Sequence, residues 1–383
     1  MNSPARALRL TPHLAIASVG YVLFAYAAVP EATMAAYDIG FTEVGLLMSA
    51  ALAAFVLVQV PAGRLTSKET TTRLLLYGTA AHVLLAVALD FAASFTALLA
   101  LRALWGLAGG FVLSVGATHV ARLHAGQTAT RQQGVYGGMV TLGGAVGFAA
   151  APRLVEAGIL YAPGALVALP AVAILVRERH DVSTAPSREA SRSSLATAFS
   201  LAVALASLCY VAIIASYITL STFITAYAAD FGIVGPLNVA VLVTATGARI
   251  SGGIASVRLP VSDSWFIAGA TALAAVSFAG LAVFETPSVT SLLPVVAMLA
   301  VSAPFGAVYA VTADATLHEG AALAIVVAAG NLAALVLPAI TGALRDATGT
   351  YTSGFALLAV LNVVALGAAA LLGTKRISQV QYP

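Results

Sequence analysis

Apolar residues run along this chain in about twelve long stretches, and polar positions gather in the gaps between them. The stretches read as spans over residues 12–31, 42–63, 72–91, 95–120, 132–153, 158–176, 199–228, 234–256, 264–284, 288–312, 320–343 and 351–373. An α-helix needs about 20 apolar residues to cross ~30 Å of hydrocarbon, which is the length of most of these runs. Only a bilayer offers so many such helices a solvent they do not have to hide from. The pattern predicts an all-α polytopic membrane protein with twelve transmembrane helices. Apolar character in the seventh span already begins near Leu195, which leaves an interfacial start open there. The first span follows a short Arg6/Arg9 arm. Its apolar run is too long for a signal-peptide core and no A-x-A-like site follows, so no cleavage is expected.

The longest polar stretch, RERHDVSTAPSREASRSS from Arg177 to Ser194, falls near the middle of the chain and has the composition of a solvated linker. It predicts an N-terminal six-helix bundle over 1–176, a cytoplasmic linker over 177–194 and a C-terminal six-helix bundle over 195–383. The halves look related. Ala97-Leu98-Leu99 and Ser291-Leu292-Leu293 lie 194 positions apart, as do Ala121-Arg122-Leu123-His124-Ala125-Gly126 and Ala315-Thr316-Leu317-His318-Glu319-Gly320. Gln59-x-x-x-Gly63 matches Arg249-x-x-x-Gly253 at an offset of 190, and Asp38-Ile39-Gly40 matches Asp230-Phe231-Gly232 at 192. A nearly constant offset of half the chain length implies two pseudo-symmetric bundles. Parallel six-span repeats are a transporter architecture, with the site between the halves.

Composition sharpens the picture. Only 9% of the 383 residues are charged, 60% are hydrophobic and the mean hydropathy is +0.98, where a soluble domain carries about a quarter charged residues. With the N-terminus inside, the cytoplasmic side collects Arg6, Arg9, Arg64, Lys68, Arg73, Arg122, Arg131, Arg177, Arg179, Arg188, Arg192, Arg258, Lys375 and Arg376, and the outer side only Arg153 and Arg345. Basic residues accumulate in cytoplasmic loops, so both termini are expected in the cytoplasm of a multi-pass cell-membrane protein. This charge is spread over loops and termini instead of clustering on one face, which argues against nucleic acid as a partner. The lone Cys209 lies inside the seventh span and reads as a packing residue. No H-E-x-x-H, G-x-S-x-G, Walker-type loop or Cys/His cluster is present. No catalytic residue, metal site or cofactor is expected, and any driving force is an ion or substrate gradient.

Three places carry a family resemblance. Pro61-Ala62-Gly63-Arg64-Leu65-Thr66-Ser67-Lys68, ending the second span, looks like the G-x-L-a-D-R loop of the major facilitator superfamily, with Ser67 where the Asp normally sits. Arg102-x-x-x-Gly106-x-x-Gly109-Gly110 in the fourth span is similar to that family's R-x-x-x-G-x-x-x-G motif, and Ala248-Arg249-Ile250-Ser251-Gly252-Gly253 in the eighth resembles the second copy of the loop signature. The resemblance covers essentially the whole chain. It implies two six-helix bundles around a central cavity, with Gly63, Arg64, Lys68, Gly106, Gly110 and Gly253 serving conformation and packing. The glycine-dense fifth span lacks the G-P-x-x-G-G element of the drug/proton antiporters. A narrower, partial resemblance is to the nitrate/nitrite porters, whose opposed arginines are matched at Arg249 but replaced by Gln59 on the second span.

Polar residues inside the spans are the candidates for substrate or ion binding: Arg102, Arg249, Gln59, Tyr21, Tyr217, Ser221, Tyr309 and Asn331. An Arg within a span costs at least ~2.5 kcal/mol on insertion scales, so it has either a function or a structural clamp. Tyr210, Tyr217, Ser221 and Thr225 fall on one face of the seventh helix. Glu31, Asp314, His82 and His119 are weaker candidates for proton coupling, and no acid lies clearly at mid-depth. The reading is a secondary active transporter of a small polar solute, an anion being favoured, working by alternating access as a monomer in membrane lipid, with a proton or another ion as a possible coupling partner. Proton-coupled efflux of a drug-like or neutral solute and a non-transporting membrane sensor remain the alternatives.

Overall fold

The computed structural model describes residues 3–66, 68–124, 126–178, 200–233, 235–284, 286–316 and 319–374. Ser67, the linker beyond Glu178, His318 and the basic Lys375 and Arg376 lie outside the described residues. Two units divide the chain, Met1–Arg188 and Glu189–Pro383.

In the first unit α1 (Ser3–Phe24) gives way to a 3₁₀ turn at Ala25–Ala28, followed by α2 (Pro30–Tyr37), α3 (Phe41–Thr66), α4 (Thr71–Leu89), α5 (Phe95–Leu123), α6 (Gly126–Glu156) and α7 (Ala162–Arg177). The second unit holds α8 (Leu201–Asp230), α9 (Leu237–Arg258), α10 (Asp263–Val283), α11 (Pro287–Ser302), α12 (Phe305–Asp314), α13 (Glu319–Thr348) and α14 (Thr352–Leu372). Among the described residues eleven helical runs are long and apolar enough to cross a membrane, with α11 and α12 counted as one, and the shorter apolar α7 makes the twelfth. The protein is an all-α, twelve-helix membrane protein.

Two expected spans are broken, each by a proline. The first span continues past Phe24 only as a 3₁₀ turn, and an α-helix restarts at Pro30. The tenth stops at Ser302 and restarts at Phe305 beyond Pro304. A proline has no N–H to give the preceding turn and is best placed at or near a helix start. The single helix expected at each place becomes a long piece and a short piece.

Inside the first unit α1 packs on α5, α6 and α7, α3 on α5, and α4 on α5 and α7. The second unit repeats the list six spans later: α8 packs on α11, α13 and α14, α9 on α11 and α12, and α10 on α11 and α14. The turns repeat too. Ile39 N–H bonds the Met34 carbonyl with Asp38 left-handed (φ 52°), and Ile233 N–H bonds the Ala228 carbonyl with Gly232 left-handed (φ 68°). Both are helix-ending motifs of one type. Geometry pairs Asp38 with Gly232, an offset of 194, where the residue types alone suggest Asp230.

Missing side chains set the closest helix crossings. A Cβ on Gly143 of α6 would strike the Ala17 carbonyl of α1, and one on Gly20 would strike the Val140 carbonyl in return. Gly106 of α5 sits close on the Ala51 backbone of α3, and Gly110 on that of Phe55, though both less tightly. In the second unit the contact is made by Gly252, which meets the Ala303 carbonyl at the α11–α12 break, while nothing lies near Gly253 except the approach of Gly306. Small residues let membrane helices approach where apolar burial offers no drive.

Candidate functional site

Arg102 lies well inside a span of the first unit and Arg249 inside one of the second, and their surroundings differ. Arg102 of α5 has no solvent exposure (0%). Its Nε donates to the Leu47 carbonyl (3.2 Å), Nη1 to Val22 (2.9 Å) and Nη2 to Leu23 (3.1 Å). Val22 and Leu23 belong to the last turn of α1, where carbonyls lose their regular helical donors and the helix dipole is negative. The break at Phe24 therefore creates the acceptors that hold the cation. Tyr26 (4.7 Å), Trp105 (5.2 Å) and Tyr161 (5.8 Å) present their rings to the guanidinium. All three kinds of Arg102 nitrogen are thus bonded to backbone of the same unit.

Arg249 of α9 is half-buried, and its guanidinium carbon lies 4.5 Å from the centre of the Tyr217 ring and 4.6 Å from that of Phe305. Its Nε is out of solvent and has no hydrogen-bond partner. Around it, Tyr210 of α8 and Tyr309 of α12 share a hydroxyl–hydroxyl bond of 2.8 Å, and both pack on Phe305 at 5.7 and 5.0 Å. Gly330 of α13 leaves the space the Tyr210 ring fills, and the half-buried Asn331 is its neighbour. Ser221, one turn along α8 from Tyr217, is fully buried with its hydroxyl unpartnered. Along the polar stripe of α8, Tyr210 thus meets α12 and α13, Tyr217 meets α9, and Thr225 accepts from Asn238 of α9 at 3.1 Å.

The other candidates are scattered. Tyr21 is buried in the first unit against Gly164 of α7, its hydroxyl unpartnered. Gln59 is half-buried on α3. His119 is buried and shares a 2.9 Å bond with Thr71, while Glu31 and Asp314 are exposed. In the motif at the end of α3, Gly63, Arg64 and Lys68 are exposed, and the turn is tied to α5 by Arg122 donating to the Thr66 carbonyl at 2.6 Å. Sequence reasoning missed Phe305, Trp105 and Tyr26. The spacing held a signal for two of them: Trp105 follows Arg102 by one helical turn, and Phe305 precedes Tyr309 by one.

The fold is similar to a bacterial homologue of the human lysosomal transporter Spinster, solved in an inward-facing unoccupied form (TM-score 0.72, 15% identity, 99% of this chain and 98% of that one). It is also similar to the inward-facing occupied form (TM-score 0.75, 15% identity, all of both chains). No curated protein matches the sequence. The Major Facilitator Superfamily profile matches residues 14–319, well over half of the chain. This chain belongs to the major facilitator superfamily, as a transporter and not an enzyme.

Proposed function

We propose that this chain is a secondary transporter of a small organic anion, which its second unit engages at Arg249. One observation carries the reading: Arg249 is a cation whose Nε–H is desolvated and unbonded, over the ring of Tyr217, which lies one helical turn from the buried, unpartnered hydroxyl of Ser221. A buried donor without a partner costs about 1–3 kcal/mol, more when charged, and a bound acceptor recovers it. The guanidinium faces lie on Tyr217 and Phe305, so its N–H edge is left for the ligand. A planar fork of that kind pairs best with a carboxylate. Gln59, where the nitrate porters have a second arginine, is an uncharged amide on the first unit's α3. A single fixed cation in the second unit suits an organic monoanion better than bare nitrate, for which those porters supply two arginines. Arg102 does not serve the ligand in this reading, because its donors are spent on α1 and α3. Both termini lie in the cytoplasm of a cell-membrane protein, and the two six-helix units on either side of the 177–194 linker rock to give alternating access.

Equilibrium binding to the purified protein tests the site, with acetate, lactate, benzoate, nitrate and glucose as probes. Carboxylates bind wild type, and Arg249→Gln weakens them tenfold or more, about 1.4 kcal/mol. Glucose as the best ligand, indifferent to Arg249→Gln, overturns the reading.

A further inference from the structure

The first unit holds a buried chain of hydrogen bonds that the site above does not use. Trp105 Nε1 of α5 lies 2.9 Å from His82 Nδ1 of α4. The other imidazole nitrogen, Nε2, lies 2.7 Å from Ser18 Oγ of α1. Ser18 Oγ in turn lies 2.7 Å from the Gly164 carbonyl of α7. His82, Trp105 and Ser18 are all without solvent exposure (0%). Gly164 is at a close crossing, since a Cβ there would enter the Tyr21 ring.

Donor chemistry fixes every proton in this chain. An indole N–H can only donate, so His82 Nδ1 is an acceptor and bears no proton. Neutral imidazole must then carry its proton on Nε2, which donates to Ser18 Oγ. The Ser18 hydroxyl proton goes to Gly164, whose carbonyl can only accept. One arrangement satisfies all four residues. Adding a second proton to His82 would set Nδ1–H against the indole N–H, two donors facing each other in a dry interior. The groups facing His82 from the packed elements are Ser18, Trp105 and the Gly164 backbone, and the cation nearest the chain is Arg102, over the same indole. Among the described residues no carboxylate pairs with His82 or Arg102 to reward a charged ring.

We propose that His82 is a positioning residue, held as the neutral Nε2–H tautomer, which fixes Trp105 against Arg102 and thereby the capped end of α1. Histidines inside membrane spans invite a role as proton carriers. His82 keeps its single Nε2 proton throughout transport and neither gains nor releases one. It ties α1, α4, α5 and α7 together, and its tautomer is set by Trp105.

The test is histidine ¹⁵N NMR on the full-length protein in lipid nanodiscs, with His82 assigned by difference from His82→Gln. Between about pH 5 and pH 9 wild-type His82 should show one bare nitrogen (Nδ1) and one protonated nitrogen (Nε2), without change. Trp105→Phe removes the donor that pins Nδ1, so a second tautomer or titration should then emerge at His82. The indole N–H signal of Trp105 supplies an independent readout. It should shift in His82→Leu and move back toward wild type in His82→Gln, whose amide restores an acceptor and a donor. A doubly protonated His82 in wild type within that range, or an Nδ1–H tautomer, overturns the proposal. So does a Trp105→Phe variant with an unchanged His82 pattern. None of these outcomes depends on which solute is carried or on Arg249.

Discussion

Arg102 donates to the carbonyl of Val22 at 2.9 Å, at the point where α1 stops being an α-helix. The two features require each other: the break frees acceptors, and the acceptors hold a cation where no water reaches. Removing the side chain leaves three backbone bonds unmade and three rings without their partner. Arg102→Ala should lower the stability of the purified protein by about 3 kcal/mol or more, read as a lowered thermal midpoint in detergent. Arg249→Ala, which removes the contacts with the Tyr217 and Phe305 rings, should cost no more than the ~0.5–2 kcal/mol of cation–ring contacts. Equal losses in the two variants would contradict the division of labour between them.

The glycine positions separate in a similar way. Gly143 rests on the Ala17 carbonyl, and nothing lies within 4 Å of where a side chain on Gly134 would begin. Gly143→Ala should therefore force α1 and α6 apart at about 1–3 kcal/mol. Gly134→Ala should be neutral or stabilising by up to about 1 kcal/mol, because alanine favours the helix. Thermal unfolding of the two variants side by side checks the contrast.

Topology offers a third prediction. Single cysteines at Glu31, Thr286 and Ser187, each in a Cys209→Ser background, place two labels at expected outer positions and one in the linker. An impermeant thiol reagent on intact cells should modify the first two and spare the third. Labelling of the linker alone would reverse the orientation.

Much of the architecture was legible in the pattern of residues, because crossing a bilayer leaves a helix few options. Span positions and the repeat of one half in the other follow from apolar length and from matched turn residues. The breaks at Pro30 and Pro304 were less legible: prolines at 12, 61, 152 and 338 lie inside continuous helices, so a proline alone does not announce a break. Arg102 stood out as a charge inside a span. Its acceptors, however, sit on α1 and α3, 79 and 80 residues away for two of them and 55 for the third. Sequence spacing on one helix cannot reveal such partners. The stripe from Tyr210 to Thr225 was visible because it lies on one helix, while the rings that Arg249 meets come from two.

The central claim is that Arg249 is the cation that a transported anion must meet. The most direct measurement is uptake of radiolabelled lactate and benzoate into proteoliposomes under an imposed solute gradient, comparing wild type, Arg249→Lys and Arg249→Gln at equal incorporation. Wild type should accumulate at least one of these carboxylates. Arg249→Lys keeps the charge without the fork and should be slower, and Arg249→Gln should fall tenfold or more. Carboxylate uptake that is unchanged in Arg249→Gln would contradict the account, as would its absence from wild type proteoliposomes that carry a neutral solute instead.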